Sequence, residues 1–395
     1  MKLKRAVGLL FLGFLSCSGS FFDEDPGDDP ETVFEHFWES YDRYYAHFEL
    51  KEIDWDQIYR QYRPKVGPET SPEALFEILA EMIRFLEDGH VYLIAEKRRA
   101  LSDGHLRVGP RNFNAELIEK DYLGENARER GEGRFVYGIL EGELGYLRLS
   151  TLAGGNGRGE EVTGWITEVD EILEELAGTR GLILDLRNNG GGRAYNTKYI
   201  AARFASAERP FVITRSRSGP GHDQFSSPRT WYARPLERGR YTAPVVVVTN
   251  RFTFSAAEWL TLALRQYDHI THLGTYTGGG LAMFLPRELP NGWTYTISVQ
   301  DTRAPDGTSF ERVGIRPEIS VEMSDSDRES GRDSLLEAAM DHLLSEKSSG
   351  PQRVMIRAFE ISCFERRGQI PGPNPRRCFA RRESCSRRTQ WRADP

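Results

Sequence analysis

The stretch Pro244-Val245-Val246-Val247-Val248-Thr249-Asn250-Arg251-Phe252-Thr253-Phe254-Ser255-Ala256-Ala257-Glu258 decides how this chain folds. Its valine run has no polar alternate, the pattern of a strand covered on both faces of a sheet. From Ala256 the period changes: Ala256, Ala257, Trp259, Leu260, Leu262, Ala263 and Leu264 recur at helical spacing. Ser255 therefore falls on the first turn of a helix, where unpaired N–H groups and the positive end of the helix dipole favour a developing negative charge. That suits a nucleophile, and it also suits an ordinary N-cap serine. The segment alone leaves both readings open.

Upstream, Gly181-Leu182-Ile183-Leu184-Asp185-Leu186-Arg187 reads as a second buried strand emptying into Asn188-Asn189-Gly190-Gly191-Gly192, with a helix through Tyr199, Ile200, Ala201 and Phe204. Glycines at a strand's end let backbone N–H groups face a ligand without Cβ interference. They are candidate oxyanion donors, or simply a tight turn. Neither GxGxxG nor GxxxxGK[ST] is present, so a nucleotide loop fits poorly. Asp185 and Arg187 read as structural partners at the strand end. Residues 135–140 and 144–149 pair around Glu141-Gly142-Glu143, and residues 162–176 are expected as one amphipathic helix closed by Gly178.

The N-terminal third is helical in pattern. Asp29-Pro30, Asp54 and Ser71-Pro72 each start a helix, and Val33, Phe34, Phe37, Trp38, Tyr41, Tyr44, Tyr45 and Phe48 recur at spacings of three and four, an aromatic stripe that reads as core. Leu75, Ile78, Leu79, Met82, Ile83 and Leu86 mark the third helix, with Gly89 expected as its left-handed stop. His90 comes next, so its imidazole is expected at a fixed helix end.

The chain's 395 residues can bury a large core. The net charge of −7 conceals an asymmetry: the last 45 residues hold eleven Arg and no Lys against four acidic residues, leaving −14 on the first 350. Nucleic-acid binding by the main body is not expected. Lys2, Lys4 and Arg5 precede the apolar residues 6–15, which make an export signal too short for a membrane span. It ends at Leu15-Ser16-Cys17-Ser18, similar to the lipobox of bacterial lipoproteins, whose cysteine is lipidated. The other cysteines, Cys363, Cys378 and Cys385, lie in the Arg-rich tail, so no core disulfide is expected; with no CxxC or Cys/His cluster, neither is a metal site.

Five motifs occur in an order that resembles the C-terminal processing and tricorn-type serine peptidases: Gly145-Tyr146-Leu147-Arg148-Leu149, the segment from Leu184 to Gly192, the elbow from Thr253 to Glu258, Gly274-Thr275-Tyr276-Thr277-Gly278-Gly279-Gly280, and Glu311-Arg312-Val313-Gly314-Ile315-Arg316-Pro317. Leu86-Glu87-Asp88-Gly89-His90 extends the likeness toward the tricorn-like branch. The resemblance implies an α/β fold, a ClpP/crotonase-like core of β-β-α units with an N-terminal helical cap, and no cofactor. Where the processing-peptidase branch carries a base lysine this chain has Gly280; the tricorn-like branch uses a histidine and a glutamate, matched by His90 and Glu311. That branch also has a serine where Gly89 stands, so a Glu311–His90 link is direct, through water, or absent.

The expected organisation is a lipoprotein signal over residues 1–17, an acidic tether over 18–29, a helical cap over 30–93, an unassigned connection over 94–133, the peptidase core over 134–347 and the tail over 348–395. The expected function is an exported serine endopeptidase of the bacterial envelope, anchored through Cys17 at the periplasmic face or outer membrane, or else secreted, and acting on peptide or protein substrates. Ser255 is the nucleophile, His90 the general base, Glu311 the acid that fixes the imidazole, and the Gly191 and Ala256 amides the oxyanion donors. His105, after Asp103-Gly104, is the rival base. A degenerate core that binds peptide or lipid is the alternative function; an acyl-CoA enzyme on the same fold fits less well with an export signal.

Overall fold

The computed structural model describes residues 27–102, 112–155, 163–237 and 239–345. The expected caps are formed. Asp29 accepts from the Glu31 and Thr32 amides at the start of helix Pro30–Tyr44, Asp54 from Gln57 at Trp55–Tyr62, and Ser71 from Ala74 at Pro72–Arg84. The aromatic stripe is core: Phe34, Phe37, Tyr41 and Trp55 pack with Leu79 and Ile83. Gly89, however, is not the left-handed residue. The third helix ends at Arg84 and the positive φ falls at Glu87, 41°. In the turn that follows, the Leu86 and Glu87 carbonyls accept hydrogen bonds from Lys51 Nζ at 3.0 and 3.2 Å.

In chain order the strands are β1 Tyr92–Ala95, β2 Arg98–Leu101, β3 Arg128–Arg130, β4 Phe135–Leu140, β5 Leu144–Leu149, β6 Leu182–Asp185, β7 Arg209–Ser216, β8 Arg229–Ala233, β9 Val245–Thr249, β10 Ile270–Gly274, β11 Phe284–Glu288, β12 Thr294–Ser298, β13 Gln300–Arg303 and β14 Ile319–Ser320. The central sheet is ordered β14-β10-β9-β6-β5-β4-β3. Its β14-to-β5 part is parallel and its β5-β4-β3 part antiparallel. The valine run of β9 is buried on both faces, as its composition requires. Val245 and Val247 join the cluster under the helices Val169–Glu175, Ala194–Phe204 and Ala256–Leu264, while Val246 and Val248 meet Leu335, Leu336, Ala339 and Leu343 of helix Ser334–Ser345. Each such side chain contributes about 1.5–3 kcal/mol.

A second sheet, β11-β12-β1-β2, joins N-terminal strands to late ones, so the expected boundary after residue 93 falls inside β1. A third, β13-β7-β8, flanks the core. The connection over 94–133 holds β2, a short helical run from Ala115 to Asn126, and β3. The single helix expected over 162–176 is shorter: a 3₁₀ turn, Trp165–Glu168, leads into Val169–Glu175, because Gly164, at φ 87°, has no side chain to cap an α-helical start. Cys17, His105 and the tail cysteines lie outside the described residues. Among those residues no helix is long and apolar enough to cross a membrane.

Candidate active site

Strand β9 delivers the chain to a sharp elbow. Ser255 has φ 57° and ψ −123°, a conformation that an L-residue holds at a cost of about 1–3 kcal/mol and only when its surroundings enforce it. Here they do. The Ser255 N–H donates to Glu258 Oε2 at 3.0 Å, the Phe254 N–H to Asn189 O at 2.9 Å, and the Gly278 N–H to Thr253 O at 2.8 Å. Glu258 is fully buried and also accepts from Thr277 Oγ1, Gly279 N and Gly280 N. Burial pushes its carboxyl up to about 7 against the pull of these donors.

The turn after β1's preceding helix brings the imidazole to this serine. His90 Nε2 lies 3.0 Å from Ser255 Oγ although 165 positions separate the two residues. The ring is held between Phe254 and Phe284, with centroids at 4.7 and 5.1 Å. Phe254 also explains the missing lysine: a Cβ at Gly280 would stand 2.2 Å from Phe254 Cζ, so no side chain fits there.

Behind His90 is a buried polar cluster of Asp88, Lys51, His47 and Glu311, of which the sequence singles out Glu311 alone. The Asp88 carboxylate accepts from the His90 N–H at 2.9 Å and from Tyr45 OH at 3.1 Å. Burial would raise its carboxyl, but the Lys51 ammonium, then His47 and His90, outweigh burial and hold it well below the usual carboxylate range. Glu311 reaches the same cluster from the core. Its carboxylate meets Lys51 Nζ at 3.3 Å, His47 Nδ1 at 3.7 Å and the Leu281 N–H at 3.3 Å. Burial pushes Glu311 up, against Lys51 and His47. No hydrogen bond or ion pair joins Glu311 to His90 among the described residues, so the direct carboxylate–imidazole link open in the sequence is not made. Lys51 stands where that link would begin. Asp88, His47 and Glu311 each offer a ligand atom within 4.8 Å of the others. The Lys51 ammonium already stands between both carboxylates, however, and a divalent ion there would face its positive charge at close range; the set does not fit a metal.

The two amides expected to hold an oxyanion differ. The Ala256 N–H, at the helix's first position, meets no acceptor among the described residues. The Gly191 N–H donates to Asn189 Oδ1 at 2.9 Å and would have to share that bond with an oxyanion. The next residue, Gly192, is exposed, and its N–H meets no acceptor among the described residues. Close approach makes glycine necessary at 191: φ is 90°, and a Cβ would meet Phe254 O at 2.5 Å and Ala256 N at 2.7 Å. Asp185 and Arg187 are structural, as read. The Arg187 guanidinium bonds Asp185 and, at 2.8 Å, Asp333 Oδ1, all three fully buried.

A cleft of about 740 Å³ runs past Ser255 and His90, bordered by Tyr92, Arg99, Thr151 and Gly190–Gly192. A smaller cavity of about 210 Å³ opens beside the serine between Ala194, Trp259, Leu281, Ala282, Met283 and Phe284.

Two family models match the chain: Peptidase family S41 over residues 143–321 and the Tricorn protease C1 domain over residues 26–84. The carboxy-terminal processing protease CtpA of Bacillus subtilis is 27% identical over 160 residues, 40% of this chain and 32% of that protein. The tricorn protease of Thermoplasma acidophilum is 25% identical over 218 residues, 54% of this chain and 18% of that one. The chain thus spans about a third or less of these curated relatives. The crystal structure of a candidate peptidase from Parabacteroides merdae superposes with a TM-score of 0.73 at 30% identity, covering 82% of this chain and 100% of that one.

Proposed function

Because the chain belongs to peptidase family S41 and is a serine-type peptidase, we propose that it cleaves peptide bonds through an acyl-enzyme on Ser255 with His90 as general base. The observation that carries this reading is the 3.0 Å approach of His90 Nε2 to Ser255 Oγ, made by a serine held at φ 57°. The imidazole takes the Oγ proton as the oxygen attacks the carbonyl carbon, then returns it to the leaving amine; water repeats the cycle to free the acyl group. The tetrahedral oxyanion is met by the Ala256 N–H and by a glycine amide of the 190–192 turn, each contributing roughly 3 kcal/mol. Asp88 and Glu311 act from behind the base. Export and a lipid anchor on Cys17 belong to the same proposal and rest on residues 1–17 of the sequence.

A fluorophosphonate probe tests the nucleophile. It is expected to modify Ser255 and to do so at least about a hundredfold more slowly in His90→Ala, since general-base help contributes about 10²–10⁴-fold. Modification of a different serine sinks the assignment.

The cavity beside Ser255 supports a preference for an apolar side chain next to the scissile bond, because its lining side chains carry no charge. Peptide-library profiling is expected to return aliphatic residues there. Ala194→Phe is expected to shift the preference toward alanine by about tenfold, in line with the 1–3 kcal/mol per methylene of an apolar pocket. An unchanged profile places that subsite elsewhere.

A further inference from the structure

We propose that Lys51 is a positioning residue for hydrolysis: it clamps the turn that carries His90 to the core carboxylate Glu311 and thereby sets the imidazole against Ser255. The inference rests on the Ser255–His90 reading above. In sequence, Glu49-Leu50-Lys51-Glu52 looks like a solvated turn. Yet the Lys51 side chain is 1% exposed. Its Nζ lies 3.0 Å from Tyr45 OH, 3.0 Å from Leu86 O, 3.2 Å from Glu87 O, 3.3 Å from Glu311 Oε1 and 3.5 Å from Asp88 Oδ2.

Three of those groups belong to the turn running into His90, and one lies 260 positions away in the core. The Asp88 carboxylate then accepts the His90 N–H. A continuous chain of polar contacts therefore runs from Glu311 through Lys51 and Asp88 to the His90 backbone. Two carboxylates brought together in a dry interior do not both stay ionised unless a cation stands with them. His47 Nδ1, at 3.5 and 3.7 Å, faces the same two carboxylates, but its Nε2 is engaged with Gln300 O, and it touches neither carbonyl of the turn. Lys51 alone among the described cations bonds the turn's backbone and both carboxylates.

The test compares Lys51→Met and Lys51→Arg with the parent chain in peptide hydrolysis across pH. In Lys51→Met, kcat is expected to fall about a hundredfold, the size of effect that misplacing a reacting group by about 1 Å produces, with KM within about threefold because substrate contacts are untouched. The acid limb of kcat/KM is expected to move up by about one pH unit, since losing a nearby cation makes both Asp88 and His90 take up protons more readily. The groups facing Asp88 are Lys51, His47, His90 and Tyr45; those facing Glu311 are Lys51, His47, Asp88 and the Leu281 amide; those facing His90 are Ser255 and Asp88, with Tyr92 and Arg99 lining the same cleft. Lys51→Arg keeps the charge and is expected to keep the limb in place whatever its kcat.

A merely structural lysine would change the folded fraction and kcat without moving the limb. The proposal is overturned by a Lys51→Met enzyme with parental kcat, by one with lowered kcat and an unmoved limb, or by a Lys51→Arg limb that shifts upward; this last arm decides if Lys51→Met does not fold. Ser255→Ala in the same assay separates the two ideas. Hydrolysis persisting there removes the nucleophile assignment, whereas a dead Ser255→Ala beside a parental Lys51→Met removes only the clamp.

Discussion

Ser255→Ala is expected to lower peptide hydrolysis by about a million-fold in kcat, the loss seen when a serine nucleophile that works as one unit with its base is removed. The reason is local. Without Oγ there is no atom to form the ester, and the neighbouring amide of Ala256 and the imidazole of His90 have only water to work with. Folding is expected to survive, because alanine meets the same backbone strain at φ 57° and the elbow's backbone bonds to Glu258, Asn189 and Thr253 do not involve Oγ. The lost contact with His90 is worth about 1 kcal/mol. Chromatographic detection of peptide products beside a thermal melt checks both halves. Activity above one part in a thousand of the parent, from a correctly folded variant, removes Ser255 from the chemistry.

The second large effect concerns folding. Arg187→Ala is expected to destabilise the chain by about 3–5 kcal/mol, because it strands two buried carboxylates. Arg187, Asp185 and Asp333 are each fully buried, and Arg187 Nη1 also donates to Asn112 O. Asp333 caps the Leu336 amide at the start of the helix that covers one face of the central sheet. Losing the guanidinium therefore disturbs that helix and, two residues on, the Asn189-Gly190-Gly191 turn beneath the serine. Against a total stability of about 5–15 kcal/mol this is a large share. Denaturant titration measures it. The double change Arg187→Met with Asp185→Asn leaves one orphaned charge instead of two and is expected to recover roughly half of the loss. A parental midpoint for Arg187→Ala contradicts the role given to this triad.

Much of this site is legible in the sequence because its signals are local. The change from a valine strand to a helical period puts Ser255 at a junction. Asp29, Asp54 and Ser71 announce helix starts through their short acceptor side chains, and the asparagine–glycine run marks a place where backbone amides come close to a neighbour. The unread part is set by distance along the chain. Lys51 looks like any surface lysine until Glu311 arrives from 260 positions away. Glu258 looks like the polar face of a helix until Thr277, Gly279 and Gly280 fold over it. Asp88 stood inside the motif that carries His90, and the signal available was its place two residues ahead, where a carboxylate can accept the next-but-one amide. Gly89 misled because glycine is the usual left-handed stop, whereas here the reversal falls at Glu87, in a turn whose Leu86 and Glu87 carbonyls are bonded by Lys51 from a distant segment.

The strand β1 begins two residues after His90 and lies along β12, with Leu93 opposite Tyr295 and Ile94 opposite Thr294. Thr296 of β12 donates its hydroxyl to the His90 carbonyl at 2.6 Å, accepts from the Tyr92 N–H, and offers its own carbonyl to Tyr41 OH. His90, the proposed general base, is thus tied to the polypeptide on both sides of its Cα. A hinged door that carried the imidazole away from Ser255 would have to shear this seam, so under the proposed mechanism access for substrate would come from the walls of the cleft.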